Sequence, residues 1–302
     1  MTAALTARPI PGPVRVLAAA ICIAAVVSGC GSSSYQYDWN ILVDSIIRPD
    51  RLILSGVWLT LSISVMSQVI GVVLGVFGAL GRMSRIMPIR WIANLYVWFF
   101  RGTPLLVQIT FLYFGLGVTG IYRFPEINLF GLAIPGAVQA GILALGVNEG
   151  AYMSEIVRAG ILSIDPGQLE AAKSLGMTFG KAMRRIVLPQ AARVIVPPLG
   201  NEFNNMLKTT SLLVIISVPE LYVTFSRKNA SGPTVFHPFE LFLAAAFWYL
   251  LLTTIWGVIQ SLIERRLSKG SAGTTAGGGI SLRRRLFGSR SAENVPQISG
   301  GR

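Results

Sequence analysis

The sequence predicts an all-α, polytopic membrane protein with five spanning helices, and three observations carry that expectation. Of its 302 residues, 52% are hydrophobic and 13% are charged, whereas a soluble domain carries about 25% charge. Five apolar runs are each long enough to cross a hydrocarbon core of about 30 Å at a rise of about 1.5 Å per residue. The cations cluster between the runs and beyond the last one, so membrane topology rather than nucleic acid accounts for the net charge of +13.

At the N-terminus Arg8 and Arg15 precede Val16–Val27, a run too short to span and of the right length for the apolar region of a signal. Val27-Ser28-Gly29-Cys30 resembles a bacterial lipobox, with Cys30 the candidate lipidated residue; the alternative is an anchor helix whose cysteine is incidental. Residues 1–30 are thus expected to form a signal-like or anchor segment, and residues 31–51 a polar extracytoplasmic lead-in.

The first span is expected at Leu52–Leu80, with Gly71, Gly75 and Gly78 on one face for close helix packing. Arg82, Arg85 and Arg90 follow with no acid among them, which marks a cytoplasmic loop. The second span is expected from about Trp91 to Val118, with Trp91, Tyr96, Trp98 and Tyr113 as interfacial anchors. Within it Gly102-Thr103-Pro104 should break or kink the helix, because proline cannot donate its backbone hydrogen bond. The third span is expected from about Leu132 to Arg158, the fourth from about Val194 to Val218 and the fifth from about Phe239 to Ile263. Residues 267–302, rich in Gly, Ser, Thr and Arg, read as a disordered basic tail.

Charge sets the orientation. From Arg158 to Arg193 there are six basic residues and two acids, and from Glu264 to Arg302 eight and two. Gly120–Gly131 has one of each sign, and Val218–Glu240 two of each. The positive-inside rule therefore places residues 158–193 and the C-terminus in the cytoplasm. Five spans that begin outside end inside, which agrees.

The loop between the third and fourth runs carries a pattern of its own. Asp165 is placed to cap a short helix that starts at Pro166, Gly176 to end it, and Thr178 to cap a second one bearing Lys181, Arg184 and Arg185 before Pro189 stops it. Glu170-Ala171-Ala172, then Gly176, Ile186 and Leu188-Pro189 at fixed spacing, resemble the EAA loop of membrane subunits of bacterial ABC importers. The resemblance implies that this loop, about residues 163–190, docks in a cleft of a separate ABC ATPase subunit. Glu170, Ala171, Ala172 and Gly176 are its candidate coupling residues.

Ionisable groups at membrane depth cost about 2.5–3.5 kcal/mol each, so each needs a reason. Asn148, Glu149 and Glu155 fall in the third run, with Arg158 placed to pair with Glu155 at i, i+3. Asn201, Glu202, Asn204, Asn205 and Lys208 make the densest cluster, in the fourth. Asn148, Glu149, Glu155, Asn201, Glu202 and Lys208 are the candidate solute path, with interhelical hydrogen bonding the bland reading of each. Arg101-Gly102-Thr103-Pro104-Leu105-Leu106-Val107-Gln108, the stretch Asn148–Gly160, Pro197–Phe203 and Lys208–Leu212 are similar to the polar amino acid subgroup of ABC permeases, which includes histidine, glutamine and arginine importers.

The resemblance covers residues 52–266. It implies a five-helix type I ABC importer transmembrane domain working beside a second permease subunit, identical or related, with an extracytoplasmic amino acid binding protein delivering solute and lipid as the surrounding medium. An ion-coupled secondary transporter using Glu149, Glu155 and Glu202, or a non-transporting membrane scaffold, are the rival classes. Gly176–Ala182 lacks the spacing of a phosphate-binding loop. The two cysteines, Cys22 and Cys30, and the single His237, expected in a solvated loop, leave no basis for a metal or cofactor, and the chain reads as no enzyme itself.

Overall fold

The computed structural model describes residues 35–129 and 131–268, so Cys22, Cys30 and the tail beyond Ser268 lie outside the described residues. The polar lead-in, for which no helix was expected, holds α1, Trp39–Ile47, capped by Asp38. Asp50 caps α2, Arg51–Arg82, accepting from the Ile53 N–H at 2.9 Å. At 32 residues α2 is about 48 Å long, enough to cross a bilayer core.

The second expected span is not one straight helix. α3, Met87–Gly102, stops at Thr103, and α4, Leu105–Thr110, runs through a π-helical turn, Phe111–Gly115, into α5, Leu116–Val118. Met87–Gly102 and Leu105–Val118 diverge by 104°, so the two parts cannot both follow the membrane normal. Pro104 breaks the ladder, and its freed carbonyls are caught by side chains: Gln108 Nε2 donates to Phe100 O at 2.9 Å and to Thr103 O at 3.1 Å. Two of the four expected interfacial aromatics turn inward. The Tyr96 hydroxyl donates to Val147 O at 2.6 Å, and Tyr113 packs on the central core, whereas Trp91 and Trp98 are exposed.

A short antiparallel hairpin, β1 Ile127–Leu129 and β2 Leu132–Ile134, leads into α6, Gly136–Leu162. α6 therefore starts four residues later than expected. Its polar Gln139, Asn148 and Glu149 leave it less apolar than a lipid-facing span, and most of it is buried by its neighbours. Among the described residues, two helices are long and apolar enough to cross a membrane alone, or up to four if each of two bent pairs counts as one span. α6 completes the bundle from inside.

α7, Pro166–Ser174, and α8, Phe179–Ala182, form the connecting loop. Pro189 does not stop the second of these. The chain passes through a π-helical turn, Met183–Val187, straight into α9, Leu188–Thr209, where Pro189 occupies the first turn and needs no intrahelical donor. The fourth span thus begins at Leu188 rather than Val194, and it ends in a 3₁₀ segment, Thr210–Ile216. The next connection, expected to be a loop, contains α10, Leu221–Ala230, before α11, Pro238–Ser268.

The glycine face of α2 packs against α6. A Cβ on Gly71 would stand 2.5 Å from Glu149 Cγ, and one on Gly75 2.2 Å from Met153 Cβ, closer than any real contact. Three apolar clusters stack along the bundle. Ile53, Leu221, Phe225, Leu241 and Ala244 fill one end, Ile63, Ile109, Leu145 and Leu213 the middle, and Ala79, Val157, Ile161, Val187 and Ala191 the end beside α7 and α8. His237 is half-buried rather than solvated, with Nδ1 3.8 Å from Glu240 Oε2 and its ring against Tyr35.

Candidate functional site

The α7–α8 loop is built as its local chemistry demands. Asp165 Oδ1 accepts from the Gly167 N–H at 2.8 Å, and Thr178 Oγ1 from the Lys181 N–H at 3.4 Å. Between them Gly176 adopts φ +78°, and the Met177 N–H closes on Ala172 O at 3.0 Å. This is a left-handed helix terminus that glycine enters without penalty. Ala172 is buried beneath the loop, while Glu170, Ala171, Lys173, Lys181, Arg184 and Arg185 are exposed. Leu175, 83% exposed, and Phe179, 58% exposed, stand among these cations as an uncovered apolar pair.

The six candidate path residues divide into three neighbourhoods. Asn148, Glu149, Glu202 and Lys208 line one open cavity of about 570 Å³ between α4, α6 and α9, with Tyr152, Asn205, Thr209 and Ser211. Glu149 is buried, and its Oε1 has no hydrogen-bond partner. The same holds for the buried Oε1 of Gln68 on α2, whose Nε2 lies 3.8 Å from the Met153 sulfur. Asn148 has a second task, since its Nδ2 donates to Phe100 O and to Gln108 Oε1, both at 3.0 Å. It therefore clamps the broken α3–α4 segment to the cavity wall.

Glu155 faces elsewhere. It is ion-paired with Arg82 and with Arg158, the latter at 2.9 Å, and Arg101 Nη1 stands 3.9 Å away. Arg101 also covers the Tyr152 ring at 5.2 Å, linking this cluster to the cavity's edge. Asn201 looks away from the cavity, its Oδ1 accepting from Gln260 Nε2 on α11 at 3.1 Å. Sequence reasoning missed Gln68, whose isolated amide in the apolar α2 run was the available signal. It also missed Arg82 and Arg101 as partners of Glu155, because nothing in the sequence brings α2, α3 and α6 to one point.

Residues 71–269 match the family described as the binding-protein-dependent transport system inner membrane component. The chain belongs to that family. It is 38% identical over 281 residues to the arginine transport system permease protein ArgU of Corynebacterium glutamicum, covering 89% of this chain and 85% of that one. It is also 38% identical over 214 residues to the L-cystine transport system permease protein TcyB of Bacillus subtilis, covering 71% of this chain and 86% of that protein. A solved amino acid ABC transporter crystallised with histidines superimposes with a TM-score of 0.66 at 39% identity, over 77% of this chain and all of that one. The MetNI methionine transporter, at 18% identity and a TM-score of 0.56, shares the fold.

The chain is thus a multi-pass membrane component of a binding-protein-dependent ABC importer, a transport subunit with the ABC transmembrane-domain fold, and its ATPase is a separate partner. The ion-coupled reading falls away.

Proposed function

We propose that this subunit carries a polar amino acid inward, that the α7–α8 loop receives the ATPase, and that the chain performs no catalysis itself. The observation that carries the solute assignment is the open cavity in which two carboxylates, Glu149 and Glu202, stand with one ammonium, Lys208. An α-amino acid presents the complementary pair: an ammonium for the carboxylates, Glu149 Oε1 being unpartnered, and a carboxylate for Lys208. Relatives named for arginine and L-cystine transport support the same class.

On this reading Asn148, Glu149, Glu202 and Lys208 meet the solute. Glu155 and Asn201 act behind them, through the arginine cluster and α11. Glu170, Ala171 and Gly176, all exposed, form the ATPase contact, whereas Ala172, expected among them, is buried and supports the loop from beneath; the C-terminus lies on the same cytoplasmic side. Residues 52–266 form the permease domain, preceded by a signal-like or anchor segment and followed by a basic tail. A second permease subunit, the same or related, and an extracytoplasmic amino acid binding protein complete the assembly.

The test is ATP hydrolysis by the reconstituted transporter with its binding protein across a panel of amino acids. Stimulation confined to one side-chain class is the expected result and names the substrate. An intact complex that responds to none of them would remove the amino acid assignment and leave only the importer.

A further inference from the structure

Among the described residues, most exposed apolar side chains lie on the long helices, whose apolar faces suit a lipid surround. Phe236 does not. It sits in the connection between α10 and α11, is 83% exposed, and holds φ at +62°. A bulky residue in the left-handed region is a rare outlier, and it persists only where its surroundings enforce it.

Here they do. The Phe236 N–H donates to Asn229 O at 3.3 Å, the Val235 N–H to Gly232 O at 3.4 Å, and Thr234 Oγ1 to Lys228 O at 2.9 Å. On the far side, the fully buried Glu240 binds the Tyr35 hydroxyl and the Asp38 N–H. The loop is tied back at both ends and presents one aromatic ring outward. Asparagine or glycine would suit this backbone better than phenylalanine.

The loop lies at the end of the bundle opposite α7 and α8, beside the cluster of Ile53, Leu221, Phe225 and Leu241. On the reading of the previous section that end faces the extracytoplasmic side, where the family's binding protein arrives. We infer that Phe236 is the aromatic anchor of the docking surface for the extracytoplasmic solute-binding protein, entering an apolar socket on that partner. The rim is polar. Arg227, exposed and donating to Ser217 O at 3.1 Å, supplies a fixed cation for an acid on the partner, while Lys228 is already paired with Asp50. A rigid aromatic on a pre-set loop loses little entropy on binding, which is how a few residues come to dominate an interface.

The experiment is ATPase activity of the complete transporter in liposomes as its binding protein is titrated, for wild type, Phe236→Ala and Phe236→Asn. Asparagine tolerates the left-handed backbone, so that variant removes the ring without the strain. Both variants should raise the half-saturating concentration of binding protein at least tenfold, with basal hydrolysis and the rate at saturation unchanged and no loss of thermal stability. An unchanged half-saturating concentration in the asparagine variant would overturn the assignment. A loss of maximal rate or of stability alone would do the same, and would make Phe236 a lipid or packing residue. A wild-type transporter that no binding protein stimulates would instead sink the importer reading beneath it.

Discussion

Glu155 and Glu149 lie six positions apart on α6 and show how little a residue's identity says about its task. Glu155 is enclosed by three arginines, whereas Glu149 lines an open cavity with Asn148, Glu202 and Lys208. Replacing Glu155 with Gln leaves Arg82 and Arg158, 18% and 31% exposed, without their anion. Because the pairs are partly solvated, the cost should be about 1–3 kcal/mol rather than that of a fully buried ion pair. Thermal unfolding of the solubilised variant checks this, and an unchanged midpoint would mean the arginines find other partners. The pairing of Glu155 with Arg158 was legible from i, i+3 spacing. The added Arg82 and Arg101 were not, because they depend on how three helices cross. Asn148 is a similar case: its place beside the cavity followed from sequence, but its grip on Phe100 O exists only because α3 breaks where it does.

At the scale of elements, the caps and breaks were the most readable features. Asp165, Gly176 and Thr178 occupy the roles their chemistry suggests, and Gly102-Thr103-Pro104 does interrupt the helix. Its 104° bend was not readable, since proline specifies a missing hydrogen bond and not the direction in which the chain leaves. Pro189 misled for a related reason: a proline ends a helix read from one side and begins one read from the other. For the loop, Gly176→Asp must force a non-glycine side chain to φ +78°, and Glu170→Lys reverses the charge of an exposed position. Each should lower solute-stimulated ATP hydrolysis at least tenfold while the permease stays folded in the membrane. Normal transport by either variant, with normal ATPase copurification, would remove the coupling assignment.

A second element-scale prediction concerns the tie between α2 and α10. Burial alone would raise the Asp50 pKa. The hydrogen bond and charge of Lys228, with the Ile53 N–H, outweigh that and hold the carboxyl below its ordinary value. A depressed folded-state pKa contributes stability that is full above the unfolded value of about 4 and fades as pH drops below it through the folded value. Asp50→Asn should therefore lower the unfolding temperature at pH 7 and flatten its fall between about pH 5 and 3. Parallel curves for variant and wild type would show the pair to be inert.

For the whole molecule, hydropathy and charge located the bundle but not its interior. α6 was expected as one span among five, yet it is the helix the others enclose, and its polar residues explain both its low apolarity and the cavity it lines. The extra helices α1 and α10 were hidden in stretches that look like loops, because their stability comes from packing on α11 and α2 rather than from length. The uninterrupted passage from α8 through the π-helical turn into α9 has a mechanical meaning. Phe179, beside the proposed ATPase contact, and Glu202, at the cavity, lie on one continuous helical path with about 35 Å between them at 1.5 Å per residue, its ladder missing two rungs at Pro197 and Pro198. A lever of that length, pivoting by 10° near its midpoint, carries each end through roughly 3 Å in opposite senses. The force that grips one end would need no relay of side chains to reach the other: the backbone itself is the connecting shaft.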